Sequence, residues 1–468
     1  MSGPGTDAGQ PPIAPSQAAP ARPGTRAHDV HHLVPGAVLE GPLGACFVGE
    51  RTLALDHRHG DEALGGFFDV SDRGLGCLAR AAVPLDVDRE SIVFLDTETT
   101  GLAGGTGTYA FLVGLAYFRG DQLILRQFFM RDHAEEPAML AALSQELARH
   151  EAVVTFNGKS FDVPLLLTRY SANRQRPTVP TSVHLDLLHP SRRFWRERLE
   201  SCTLGTLERA ILGHERGRDV PGWMIPDLYF QYLRGGGPEA MAAVFEHNVH
   251  DILSLVALTC RLGRLLDGPA TPGTMPAISP APTPAMARAA PLARAEPAPP
   301  PSPASSRLPA DGVASEAGVA DLFAAARIYE DLGLLEEACS RYEQALTLRR
   351  DVALRARVAT RLAAISKRVG RHERAVQLWR RLATLGLTGC EPFVELAKHY
   401  EHRAHDYAAA IQAVEEALAI IELQVLRRRT GAVTERAALH HRLARLLVKR
   451  DRTRGRLPAA LRVPAALA

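Results

Sequence analysis

Residues 94–114 read FLDTETTGLAGGTGTYAFLVG. The apolar run that leads in, Ser91 to Leu95, has the composition of a buried β-strand, and Asp96 and Glu98 follow at its end. Residues two apart on a strand point to the same side, so both carboxylates face one space. Like charges held that close repel, and a divalent cation is the usual remedy. The Thr/Gly-rich turn that follows offers backbone N–H groups and lets a ligand approach closely. Working outward, Tyr109 to Phe118, Gln122 to Met130 and Ala152 to Phe156 also read as strands. Helical patterns occupy 135–150, 160–171, 203–212 and about 238–265. The order predicts an α/β region with a central sheet flanked by helices.

Two further segments carry polar residues on otherwise apolar elements. In TFNGKSFDVPLL (155–166), Asn157 follows a strand and Asp162 opens an amphipathic helix. An Asp there is also what the helix dipole alone would favour. In EHNVHDILSLVAL (246–258), His247 and Asp251 are four apart and share one helix face. His250, beside Asp251, points about 100° away and reads as a solvated neighbour. Asp96, Glu98, Asp162 and Asp251 resemble, in order and spacing, the four carboxylates of the DEDD exonuclease site.

The resemblance narrows with LDTETTGLAGGTGTYAFLVG (95–114), NGKSFDVPLL (157–166), HLDLLHPSRRFW (184–195), CTLGTLERAILG (202–213), DVPGWMIPDLYFQYL (219–233) and HNVHDILSL (247–255). In that order these segments are similar to the YprB-type ribonuclease H-like family, relatives of polymerase proofreading domains. The resemblance implies a ribonuclease H-like fold and a metal-dependent 3′–5′ exonuclease. Asp96, Glu98, Asp162 and Asp251 would hold two Mg²⁺ or Mn²⁺ ions, and His247 would be the base. One departure concerns that base: exonucleases using His usually place it five residues before the last Asp, where this chain has Glu246. Thr99, Gly101, Asn157 and Lys159 stand beside the carboxylates as candidate nucleotide or phosphate contacts. Asp186 and the His57–Asp61 segment are expected to be structural. Arg192 to Arg198 interleaves arginines with Phe194 and Trp195, a composition that suits either single-strand contact or a core edged by solvated arginines.

The remainder divides by composition. Residues 1–29 and a Pro/Ala-rich stretch, 267–318, have too little to bury and read as a disordered tail and a linker. Between them, 30–266 holds the ribonuclease H-like domain with an N-terminal extension. Beyond the linker, LGLLEEACSRYEQAL (332–346), VGRHERAVQLWRRLA (369–383) and AAIQAVEEAL (409–418) repeat one phase. The repeat aligns Ala338, Ala375 and Ala410, a period close to the 34 residues of tetratricopeptide helix pairs. Residues 319–452 therefore predict an all-α tetratricopeptide-like repeat domain for partner or substrate binding, followed by a disordered tail, 453–468. From Asp321 onward the chain has 27 Lys+Arg against 17 Asp+Glu, so this part is basic and the preceding part acidic.

Across all 468 residues, 46% are hydrophobic and 23% charged, which excludes a wholly disordered chain. No apolar run is long enough to span a bilayer, and the N-terminus does not read as a signal peptide. Six scattered cysteines without a CxxC pair argue against a zinc ribbon and fit a reducing cytoplasm. The expected partner is nucleic acid, as a single strand or 3′ end of DNA or RNA, with no membrane association. Two other readings stay open: a catalytically silent binding scaffold, and a structure-specific endonuclease using the same site.

Overall fold

The structure is a computed structural model that describes residues 30–101, 107–217, 219–268, 311–348, 352–427 and 429–455. The Thr/Gly-rich turn at 102–106, both terminal tails and most of the linker segment lie outside the described residues. A hairpin of β1 (Gly36–Gly41) and β2 (Gly44–Ala54) opens the fold, followed by the small pair β3 (Arg58–His59) and β4 (Glu62–Ala63) and helix α1 (Asp72–Leu78). Next come β5 (Ile92–Thr99), β6 (Ala110–Arg119), β7 (Gln122–Phe129), α2 (Glu136–Leu147), β8 (Ala152–Thr155), α3 (Asp162–Ala172) and β9 (Val183–Asp186). Four helices complete this half: α4 (Leu188–Trp195), α5 (Leu204–Leu207), which runs into a π turn over Glu208–Leu212, α6 (Ile225–Leu233) and α7 (Glu239–Asp267).

Seven strands form one mixed sheet in the order β1-β2-β7-β6-β5-β8-β9. The pairs from β1 to β5 are antiparallel, whereas β5, β8 and β9 run parallel. Both sheet faces are covered. Ile92 and Phe94 belong to the core on one side, while Val93 and Leu95 belong to the core on the other. Two-sided burial is why β5 and β6 read as unbroken apolar runs rather than alternating ones. This arrangement is the ribonuclease H-like fold that the sequence predicts. The β1–β2 hairpin extends the sheet beyond that expectation.

Helix α7 sets the geometry of the centre. Its first turns (Met241, Val244, Phe245) pack in one core, and its later turns (Ile252, Leu255, Val256) pack in the other. Where it crosses β6, a Cβ at Gly114 would come within 2.1 Å of the Asn248 side chain and 2.2 Å of Ile252. Only glycine permits that approach. Gly114 is also the cross-strand partner of Asp96. The crossing therefore lays the polar face of α7 over the end of β5.

The second half is all-helical: α8 (Asp311–Asp331), α9 (Leu335–Thr347), α10 (Val352–Arg368), α11 (His372–Leu385), α12 (Glu391–His399), α13 (Tyr407–Leu426) and α14 (Ala432–Gly455). Helix α8 begins inside the stretch read as linker, and α14 runs into the stretch read as tail. Ala338, Ala375 and Ala410 are fully buried. Gly333 and Gly370, at φ 77° and 83°, make the turns before α9 and α11. This half docks directly on the first. The Tyr329 hydroxyl donates to the Leu266 carbonyl (3.1 Å), and ion pairs join Arg193 to Asp331 and Arg198 to Asp321. Among the described residues, no helix is long and apolar enough to cross a membrane.

Candidate metal centre

Asp96 and Glu98 project from the end of β5 toward α7, with a register irregularity between Glu98 and Thr99 that ends the regular pairing. Asn248 Nδ2 donates to Asp96 Oδ2 (2.9 Å), and the Asn248 carbonyl accepts from Gln127 Nε2 (2.9 Å). Gln127 donates as well to the Phe245 carbonyl, so Asp96 is aimed by a buried amide pair. Glu98, Asp251 and His247 form one group: one ligand atom from each lies within 4.8 Å of the others. Asp96 and Asp162 stand outside it. Asp162, at the start of α3, accepts a hydrogen bond from the Thr97 hydroxyl, and its charge acts on both Asp96 and Glu98.

The carboxylates share too little positive charge. Burial pushes Asp96 and Glu98 well above the ordinary carboxylate range, and the Asp251 charge pushes them further. Burial likewise raises Asp162, to about 6. Asp251 is raised by burial and held back by Arg216 and His247. Glu98 Oε1 is buried with no hydrogen-bond partner. A buried oxygen acceptor without a partner, among carboxylates that resist ionising together, suits a hard divalent cation with oxygen ligands. The residues fit such an ion.

His247 stands between two carboxylates. Its Nδ1 lies 2.9 Å from both Asp219 oxygens and 3.3 Å from Arg216 Nη1. Nε2 faces Asp251, 3.6 Å away. Burial works against the Asp219 charge, but hydrogen bonds from Arg216 and His247 hold its carboxyl below the usual range. Arg216 joins the whole group. It donates to Glu208 (2.7 Å) and Asp219 (3.0 Å), and it pairs with Asp251. Burial alone would lower the Arg216 pKa, yet Glu208 and Asp251 hold it above its ordinary value.

The remaining predicted residues divide. Thr99 is buried and donates to the Gly101 carbonyl (3.0 Å), which shapes the turn after β5. Asn157 is exposed with φ 66°, and Lys159 is exposed two residues on. The backbone N–H groups of Asn157 and Lys159 donate to Asp186, at 2.8 and 3.1 Å. Asp186 thus fixes the loop that presents them, a structural role as expected. His250 departs from expectation: it is half-buried, 5.2 Å from the His214 ring, because the β3–β4 pair folds His59 against α7. One ring nitrogen from each of these three histidines lies within 4.8 Å of the other two. His59 is bonded to Ser254 (2.7 Å), and burial drives its pKa down to about 3. Phe194 and Trp195 are core, at 4% and 2% exposure, and the arginines around them face solvent.

Sequence reasoning missed Asn248, Arg216 and Asp219. The segment HERGRDVPG (214–222) reads as a polar loop, and no periodicity marks it. The one available signal was four charges of mixed sign, Glu215, Arg216, Arg218 and Asp219, close after Glu208.

Comparison with known proteins agrees with this geometry. Residues 93–262, which run from β5 into α7, match the family model of the RNase_H superfamily. The chain is also 28% identical over 380 residues to the uncharacterized protein YprB of Bacillus subtilis (strain 168), covering 80% of each chain. The match to the RNase_H superfamily model thus spans the stretch that carries an acidic group able to hold a metal.

Proposed function

We propose that this protein is a two-metal 3′–5′ exonuclease acting on nucleic acid, with Asp96, Glu98, Asp162 and Asp251 holding Mg²⁺ or Mn²⁺. One observation carries the reading. Glu98 and Asp251 converge with a histidine whose far nitrogen, Nδ1, is seated against Asp219. The cations, when bound, would activate water and neutralise charge at the scissile phosphate. His247 would accept the water proton at Nε2, and Asp219 would stabilise the imidazolium that forms. Asn248 would keep Asp96 aimed inward, and Thr97 would do the same for Asp162. Thr99, Gly101, Asn157 and Lys159 would meet the terminal nucleotide. We take 30–266 as the nuclease domain and the helices over 319–452 as tetratricopeptide-like repeats that bind a partner or the substrate. The six cysteines are unpaired, which supports a reducing, cytoplasmic setting.

A covalently closed single-stranded circle and its linear form, each incubated with Mn²⁺, test the mode of cleavage. The reading requires mononucleotides from linear strand alone. Cutting of the circle would establish an endonuclease, and inertness of both would favour a binding scaffold.

A further inference from the structure

One cleft lies away from the carboxylates, between α4 of the first half and α8 and α10 of the helical half. Its volume is about 390 Å³. Seven arginines line it, against two carboxylates, Glu197 and Asp331. Arg193 and Arg357 use those two carboxylates, and Arg198 pairs with Asp321. The other four, Arg80, Arg192, Arg196 and Arg327, have no ion-pair partner among the described residues. Arg327 Nε is buried with no hydrogen-bond partner either. Guanidinium groups gathered at this density repel one another unless an anion joins them.

We infer that this cleft is a second binding site, which holds the phosphates of a nucleic-acid strand. The inference rests on the nuclease reading for the identity of the strand. The chemistry of the walls points to phosphate. Arginine offers a planar fork that bonds phosphate oxygens two at a time, and four such forks are free here. Half-buried Phe323 adds an aromatic surface, with the Arg357 guanidinium 5.1 Å above its ring. Arginines beside an aromatic face are the usual equipment for tracking a single strand.

Topology connects the cleft to the carboxylates. β5, β8 and β9 run parallel, so their C-terminal ends share one sheet edge. Glu98 leaves that edge at β5, the Asn157–Lys159 loop leaves it at β8, and α4 leaves it at β9. β5 and β9 are two strand spacings apart, about 10 Å at 4.7–4.9 Å each. A strand whose end lay at Glu98 would pass the Asn157–Lys159 loop before reaching Arg192, on α4, and Arg196, which caps its end. Because α8 and α10 form the opposite wall, the bound strand would bridge both halves of the molecule.

The test measures binding without cleavage. Full-length protein in EDTA is titrated against fluorescein-labelled DNA and RNA strands of about 20 nucleotides, by anisotropy, across about 50 to 200 mM salt. The variant R192E/R196E alters exposed, unpaired arginines, and R403E/R427E makes the same charge change at two exposed arginines that do not line the cleft. The cleft variant should bind at least about tenfold more weakly, with a salt slope shallower by about 1.4, two contacts at ~0.7 each. The second variant should bind like wild type. Equal losses in both variants, or no strand binding by wild type, would overturn the inference. So would competition by tripolyphosphate or polyglutamate as strong as by the strand itself, which would mark a small-anion or acidic-peptide site. A protein that binds strands through this cleft yet never cleaves them would lose the exonuclease reading and keep this one.

Discussion

The carboxylate centre on β5 and α7 and the arginine cleft between α4 and α8 are both charge clusters short of counter-charge, and they differ in depth. In the centre, Glu98 and Asp162 are almost fully covered, so the surplus charge appears as raised carboxyl pKa values and as a tight hold on Arg216. In the cleft, Arg192 and Arg196 reach solvent, where water and salt screen them over about 8–10 Å. The same imbalance therefore costs folding energy in one place and little in the other. A ligand at the centre should register as stability and pH dependence, and a ligand at the cleft should register as salt dependence.

The sharpest way to break this contrast acts on the centre. His247→Ala removes the proton acceptor and should lower the cleavage rate by ~10²–10⁴-fold, the usual worth of a general base. Mn²⁺ should still raise the melting temperature of this variant, and a loss of both effects would make His247 a ligand instead. Next comes Arg216→Gln, which strips Glu208, Asp219 and Asp251 of a shared cation. Breaking a buried pair in this way costs roughly 3–5 kcal/mol. Denaturant unfolding in EDTA should show that loss, and Mn²⁺ should restore part of it. The cleft variant R192E/R196E should leave the unfolding midpoint where it is, because neither arginine has a partner to lose.

Asp219→Asn should have a smaller effect, about 10–100-fold in rate, as expected when the group that orients an active histidine is weakened. Binding of a strand in EDTA should not change. The smallest effect concerns pH. Asp162 ionises at about 6 in the folded protein, above its ordinary 3.8. Between about pH 4 and 6 the unfolded chain has released this proton and the folded chain still holds it. The contribution to stability therefore falls as pH rises through that window. A series of unfolding midpoints in EDTA should show this slope, and Asp162→Asn should make it shallower, the share from Asp96, Glu98 and Asp251 remaining.

Legibility in the sequence followed the range of the contacts. The end of β5 and the His247/Asp251 face of α7 were readable because strand and helix periods place those side chains without knowledge of anything distant. Asn248 bonds Asp96 across 152 residues, and Arg216 meets Asp251 from a loop with no period. Their roles exist only after α7 crosses the sheet at Gly114. The β1–β2 hairpin escaped notice because every residue of β1 is exposed, which leaves no apolar alternation to read. His250 read as solvated because nothing local announces that His59 folds onto it. For Phe194 and Trp195 the composition left core and strand contact open. Their burial on the inner side of α4 puts the aromatics in the core and the arginines in the cleft.

The most direct measurement of the central claim is the rate of mononucleotide release from a 5′-labelled linear strand with Mn²⁺, comparing wild type, Glu98→Gln and Asp251→Asn. A wild-type ladder that shortens from the 3′ end, is abolished by EDTA and is absent in both variants is the predicted result. Release that continues at the wild-type rate in Glu98→Gln and Asp251→Asn would contradict the account, since the chemistry would then lie elsewhere than in this centre.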